Sequence, residues 1–171
     1  MNLKQYIREI PDFPSKGIVF KDITPLLNSP IAMEEAANAL MELVGNQKID
    51  KVVGMESRGF FFASLLALKL KAGFVPVRKP AKLPADKISI TYGLEYGTDT
   101  LEIHKDAIQA GDRVLVHDDV LATGGTAKAT CELVERLGGE VVQCNFLMVL
   151  ELLNGEEKLN GYEIRTLMRY R

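Results

Sequence analysis

The chain has 171 residues, 47% hydrophobic and 26% charged, which suits one soluble domain with a buried core and excludes a disordered chain. With 21 Lys and Arg against 23 Asp and Glu, the formal net charge is -2, so no broad basic face exists for sequence-independent nucleic-acid binding. Any anionic ligand must be held by local geometry.

The first ten residues, "MNLKQYIREI", carry charges throughout and lack a signal peptide's apolar stretch, while the most apolar run, "GFFFASLLALKL", is too short to span a bilayer. A cytoplasmic protein with no membrane partner is expected. Leu3, Tyr6, Ile7 and Ile10 recur at helical spacing and predict a short opening helix that ends before Pro11. The segment "PDFPSKGIVFKDITPLL", with three prolines and a glycine, reads as an ordered loop or small cap. Ser29 and Pro30 start a helix over 31 to 44, which Gly45 stops. "KVVGM" is a buried strand, "ESRG" a loop, 60 to 70 a helix and "GFVPV" a second strand. Residues 79 to 91, polar and holding two prolines, read as a long excursion free to move. "LEYGTDTLEIH" predicts a hairpin turning at 97 to 99. After the strand in "AGDRVLVHDD" come a helix over 126 to 137, a stop at Gly138 and Gly139, and the strand "EVVQCNFLMVL". Strands alternating with helices predict a parallel α/β sheet with right-handed crossovers, in a single domain without internal repeats. Cys131 and Cys144 lack metal-ligand spacing and read as reduced thiols in or near the core.

The stretch "VLVHDDVLATGGT" at 114 to 126 carries the chemistry. An apolar strand runs into Asp118 and Asp119, then into Ala122, Thr123, Gly124, Gly125 and Thr126, at the strand end where open α/β sheets bind ligands. The glycines let backbone N–H groups converge, the following helix adds its positive end, and the two threonine hydroxyls donate as well, so the loop should cradle a phosphate. Its order is neither GxxxxGK[ST] nor GxGxxG. Two carboxylates before such a cradle suit a sugar phosphate, their oxygens accepting from ribose hydroxyls.

This segment resembles the phosphoribosyl pyrophosphate signature of the type I phosphoribosyltransferases. The likeness extends almost end to end to those members that take adenine, through "IPDFPSKGIVFKDITPLL", "ESRGF", "VRKPAKLP" and "LEYGTDTLEIH". It implies the type I phosphoribosyltransferase fold: a central, mainly parallel sheet flanked by helices, a hood over about residues 1 to 30, and a flexible active-site loop over about 79 to 100. It also implies transfer from phosphoribosyl pyrophosphate to adenine, giving AMP and pyrophosphate through a ribosyl-cation-like transition state, with Mg2+ bound mainly through the substrate and water and with no firm protein ligand. Asp118 and Asp119 would lie where positive charge develops. Ser57, Arg58, Arg78, Lys79, Lys82 and Tyr96 would meet pyrophosphate, some of the basic or lid residues reaching the neighbouring site of a homodimer. Glu95 would donate to N7 of adenine, Phe20 would stack on the base, the backbone at Val19 and Lys21 would read its edge, and Val120 would cover its other face.

Taken singly, these residues have plainer readings: Asp118 and Asp119 as strand-end surface acids, Arg58 as a surface arginine, the 78 to 82 cations as a solvated run, Glu95 as a strand-surface glutamate and Phe20 as a core aromatic. A regulator that senses the same sugar phosphate would need an added nucleic-acid-binding module or a basic face. Two positions depart from the family: His117, where an apolar residue is usual, alternates away from Asp118 and reads as a packing residue or one that supports the site from behind, not a catalytic base, and Ala81, where glycine is usual, as slightly stiffening the lid.

Overall fold

The computed structural model describes residues 1–94 and 97–171. The chain packs as two compact units, Met1–Ala39 and Leu40–Arg171.

In the first unit the opening helix shrinks to one 3-10 turn, Leu3–Tyr6, with the Asn2 side chain accepting from Lys4 N–H. The chain then forms β1 (Arg8–Pro11), antiparallel to β2 (Val19–Asp22), with Ile10 opposite Phe20. Eight residues are too few for a self-supporting helix, and pairing with β2 satisfies the backbone of Arg8–Pro11 instead. A short helix α1 (Thr24–Leu27) follows. Helix α2 (Pro30–Val44) opens as expected, Ala32 N–H donating to Ser29 Oγ, and ends at Gly45, whose φ of 65° suits a residue without Cβ.

The second unit is built on five strands: β3 (Lys51–Met55), β4 (Gly73–Val77), β7 (Arg113–Leu121), β8 (Glu140–Leu150) and β9 (Ile164–Tyr170). Their order is β4-β3-β7-β8-β9 and every neighbouring pair is parallel. Parallel neighbours require crossover connections, and α3 (Gly59–Leu70), α4 (Gly125–Arg136) and the short α5 (Gly155–Lys158) lie on three of them. Between β4 and β7 the chain forms an antiparallel hairpin, β5 (Lys87–Gly93) with β6 (Thr98–His104).

Side-chain alternation divides the central strands between two faces. His117, Gln143 and Asn145 meet α3 and the last turn of α2, where Asn145 Nδ2 donates to Leu40 O and Gln143 Nε2 to Leu43 O. Val114, Val116, Cys144 and Phe146 join the apolar cluster under α4 and the hairpin. Burial on both faces explains why "KVVGM" and "EVVQCNFLMVL" read as near-continuous apolar runs. No helix among the described residues is long and apolar enough to cross a membrane.

Three further readings change. The hairpin's first arm is Lys87–Gly93, drawn from the segment read as an excursion, because "KISIT" alternates against the apolar side of β6. Strand β6 begins at Thr98, so Thr98 and Asp99, read as part of the turn, belong to a strand. α5 and β9 lie beyond the expected elements; β9 is an edge strand half covered along its length, so it carries no continuous apolar run.

Ala81 has a φ of 65°, in the left-handed region where a Cβ is penalised by about 1–2 kcal/mol. The side chain therefore strains this turn, and stiffening of the unfolded chain offsets only about 0.4–1 kcal/mol of that. Ala81→Gly is expected to stabilise the fold by up to about 1 kcal/mol, read as a higher urea midpoint with unchanged slope.

Candidate active site

Strand β7 pairs with β3 only as far as His117 opposite Gly54, while its pairing with β8 continues to Leu121. Asp118 and Asp119 thus lie where β7 outruns one neighbour and space opens on that side. Helix α3 begins against this point: a Cβ on Gly59 would stand 2.8 Å from Asp118 Oδ1 and 3.2 Å from His117 O. Glycine in "ESRG" is therefore a packing requirement, and it brings a positive helix end close to Asp118.

Asp119 is 2% exposed and forms an ion pair with Arg58, Nε to Oδ2, at 3.0 Å. Its own N–H donates to Asp118 Oδ1 at 2.9 Å. Burial, and then the neighbouring Asp119 charge, push the Asp118 carboxyl well above the usual carboxylate range. Burial raises Asp119 too, with the Arg58 guanidinium opposing it. Asp119 therefore holds the pair's negative charge more firmly, and Asp118 accepts a proton readily until a cation arrives.

Beyond Leu121 the chain turns through Gly124, at a φ of 80°, into α4. Asp118, Val120, Thr123, Gly124 and Thr126 share the wall of a cavity of about 70 Å³ with Leu121, Ala122 and Ala127. Gly125 packs against the Tyr92 ring, whose hydroxyl lies 3.0 Å from Thr126 Oγ1. Behind the loop stands a residue the sequence reading missed, Gly155: a Cβ there would fall 2.1 Å from Ala122 O and 2.9 Å from Gly124 N. Its only trace in the sequence is the Asn154-Gly155 pair, an ordinary turn signal thirty or so positions away from the motif it supports.

The basic residues gather around one carboxylate. Glu56 accepts from Lys82 Nζ at 2.9 Å and from Lys79 N–H at 2.5 Å, and Arg78 Nε lies 3.4 Å away. Burial pushes the Glu56 carboxyl up, but the Lys82 and Lys79 hydrogen bonds and the Lys82 and Arg78 charges outweigh it, leaving it below the usual range. Lys79 Nζ pairs with Asp99, and the Arg78 guanidinium stands 5.8 Å from the Phe60 ring centroid. Ser57 is exposed, next to the cis Glu56–Ser57 peptide bond. Glu95 and Tyr96 lie outside the described residues.

In the first unit, Val19, Phe20 and Lys21 are consecutive in β2. Phe20 packs edge to face on Phe13, centroids 5.2 Å apart, and Lys21 pairs with Glu9. The ribbon has two strands, so one backbone edge of β2 has no strand partner among the described residues.

His117 is fully buried, pointing away from Asp118, with Nδ1 3.1 Å from Asn145 Oδ1. Asn145 continues the polar row by donating to Gln143 Oε1. Burial lowers the imidazole from 6.5 to about 4, with the Asn145 hydrogen bond acting in the opposite sense, so the ring is neutral near pH 7. It has no reach to the acids and acts as packing.

The adjacent Asp118 and Asp119 offer the hard carboxylate oxygens that a magnesium ion takes; among the described residues no group of three or more His, Cys, Asp or Glu is placed to hold a metal.

The family model "Phosphoribosyl transferase domain" matches residues 22–165. An adenine phosphoribosyltransferase of Flavobacterium johnsoniae is 64% identical over 170 residues, covering 99% of this chain and 100% of that one. The crystal structure of the adenine phosphoribosyltransferase from Thermoanaerobacter pseudethanolicus superposes with a TM-score of 0.96 at 52% identity, covering 98% of each chain. The Saccharomyces cerevisiae structure, 46% identical with a TM-score of 0.90 over 96% of this chain and 95% of that one, is complexed with D-2,5-dideoxy-2,5-imino-altritol 1,6-bisphosphate and adenine.

The His117 shift gives a pH signature. Its folded value, about 4, lies below the unfolded value near 6.5, so the unfolded chain binds the proton first as pH falls. The contribution is complete above pH 6.5 and is lost between about pH 6.5 and 4, amounting to about 3 kcal/mol. Urea unfolding at stepped pH should show this slope in the wild type relative to His117→Gln, the subtraction removing the carboxylates common to both.

Proposed function

Since this chain belongs to the phosphoribosyl transferase family, among its adenine phosphoribosyltransferases, we propose that it transfers the 5-phosphoribosyl group of phosphoribosyl pyrophosphate to adenine, giving AMP and pyrophosphate. The observation that carries the reading is the Asp118–Asp119 pair at the open end of β7, running directly into the Gly124 turn and the start of α4. The loop at 122 to 126 grips the 5′-phosphate through backbone N–H groups, the helix end and two hydroxyls.

The C1′–pyrophosphate bond breaks ahead of full bonding to the purine nitrogen, so positive charge grows on the ribose ring. Asp118 and Asp119 face it. Their carboxyls are held above the ordinary range by burial, so a nearby developing cation favours their full ionisation and is itself stabilised. Asp118 and Asp119 would hold a magnesium ion through water, and the ion, when bound, would supply positive charge for the departing pyrophosphate. Ser57, Arg58, Arg78, Lys79 and Lys82, with Tyr96, bind the same group. Arg58 then serves both Asp119 and the leaving group. Glu95, by resemblance in "LEYG", meets N7 of adenine, where its carboxylate takes the base's N7 proton as the opposite ring nitrogen bonds to C1′ and pyrophosphate leaves. Phe20 supplies a ring for the base to stack on, worth about 1–3 kcal/mol, Val19 and Lys21 supply backbone groups for its edge, and Val120 supplies apolar surface.

The reading extends to a cytoplasmic homodimer. The exposed Phe61, Leu68 and Phe74 of α3 and β4 support association, and the reduced state of Cys131 and Cys144 suits a reducing compartment. Sedimentation equilibrium should return twice the chain mass; a monomer at micromolar concentration removes the dimer.

Incubation with magnesium, phosphoribosyl pyrophosphate and each nucleobase should give AMP from adenine and little nucleotide from hypoxanthine or guanine. In the same assay Asp118→Asn with Asp119→Asn should lower kcat/KM by at least about a hundredfold, and Glu95→Gln should depress kcat by about a hundred- to ten-thousand-fold with sugar-phosphate binding retained. Full activity in the double variant would make the acid pair structural.

A further inference from the structure

Tyr92 in β5 stands directly opposite Asp99 in β6, so the two side chains leave the hairpin on one face. The Tyr92 ring lies along the turn into α4, close enough that a Cβ on Gly125 would come within 3.3 Å of its Cδ2 and Cε2. Its hydroxyl is 3.0 Å from Thr126 Oγ1 and 3.4 Å from Asp99 Oδ2, the oxygen that also accepts from Lys79 Nζ. A single row of polar groups therefore runs Lys79, Asp99, Tyr92, Thr126.

Proton counting gives the row a direction. Tyrosine and threonine hydroxyls each carry one proton and accept on their lone pairs. Thr126 can donate to a bound phosphate and keep its contact with Tyr92 only if the Tyr92 proton points at Thr126 Oγ1. Asp99 competes for that proton, but from 3.4 Å and with its oxygen already occupied by the Lys79 ammonium. The donation order becomes Lys79 to Asp99, Tyr92 to Thr126, and Thr126 to the ligand.

We propose that Tyr92 is a positioning residue for phosphoribosyl transfer: its hydroxyl donates to Thr126, aims the Thr126 proton at the 5′-phosphate, and ties the hairpin to the phosphate loop. This rests on the reading of residues 122 to 126 as the phosphate cradle. Phenylalanine at 92 would keep the ring on Gly125 but leave the Thr126 hydroxyl free to rotate.

The test measures ribose 5-phosphate binding by calorimetry, with steady-state kinetics, for Tyr92→Phe, Thr126→Val and the double variant. Tyr92→Phe is expected to weaken ribose 5-phosphate binding and raise the KM for phosphoribosyl pyrophosphate roughly five- to tenfold, leaving the KM for adenine and the thermal midpoint unchanged. Thr126→Val should weaken binding at least as much, and adding Tyr92→Phe to it should cause no further loss, because the phenol acts only through that hydroxyl. Losses that multiply in the double variant, or wild-type binding in Tyr92→Phe beside a weakened Thr126→Val, overturn the positioning role alone. Wild-type binding in Thr126→Val overturns the cradle reading, and the proposal with it.

Discussion

The arrangement depends on how two adjacent carboxylates are held at the end of a buried strand. Asp118 and Asp119 repel each other and lose hydration, and both effects favour taking up protons. Arg58 answers one of them at 3.0 Å, and the N–H of Asp119 answers the other. Arg58 remains 39% exposed, so water screens the pair, and its net worth lies nearer the ~1 kcal/mol of a surface bridge than the several of a dry one. The pair orients Asp119 more than it stabilises the fold. It leaves an incompletely compensated negative site, ready for a ligand that brings or develops positive charge.

Glycines around the acids act by what they leave out. Gly59 lets the start of α3 approach Asp118, Gly124 takes the left-handed turn, and Gly155 lets the chain before α5 back the loop. These three contacts converge on the β7–α4 junction from separate crossovers of the sheet. The turn at 122 to 126 is therefore braced by the parallel architecture.

The opposite face of β7 is equally constrained. Asn145 answers His117 Nδ1 and passes the demand to Gln143 and to the carbonyls of the last turn of α2, while the buried His117 Nε2 has no hydrogen-bond partner among the described residues. By the two-residue period of a strand, His117 and Asp119 share the α3 side of β7, where one packs near Phe62 and the other meets Arg58, while Asp118 lies on the opposite face. The basic residues are similarly committed: Lys82 and the Lys79 backbone to Glu56, and the Lys79 side chain to Asp99.

By itself the sequence determined the parallel α/β class, the buried strands at 51 to 55, 73 to 77 and 140 to 150, and the family, from the strand end and turn at 118 to 126. Apolar runs, glycine stops and adjacent carboxylates are local signals, written within a dozen residues. Tertiary structure alone decided that the opening segment pairs as a strand, that "KISIT" is half of a hairpin, and that Arg58 meets Asp119. The same holds for Gly155 behind the turn and Tyr92 on Thr126. Each of those depends on atoms far apart in the chain, where short segments of ambiguous period take the conformation that their partners stabilise, and no local pattern records which partner arrives.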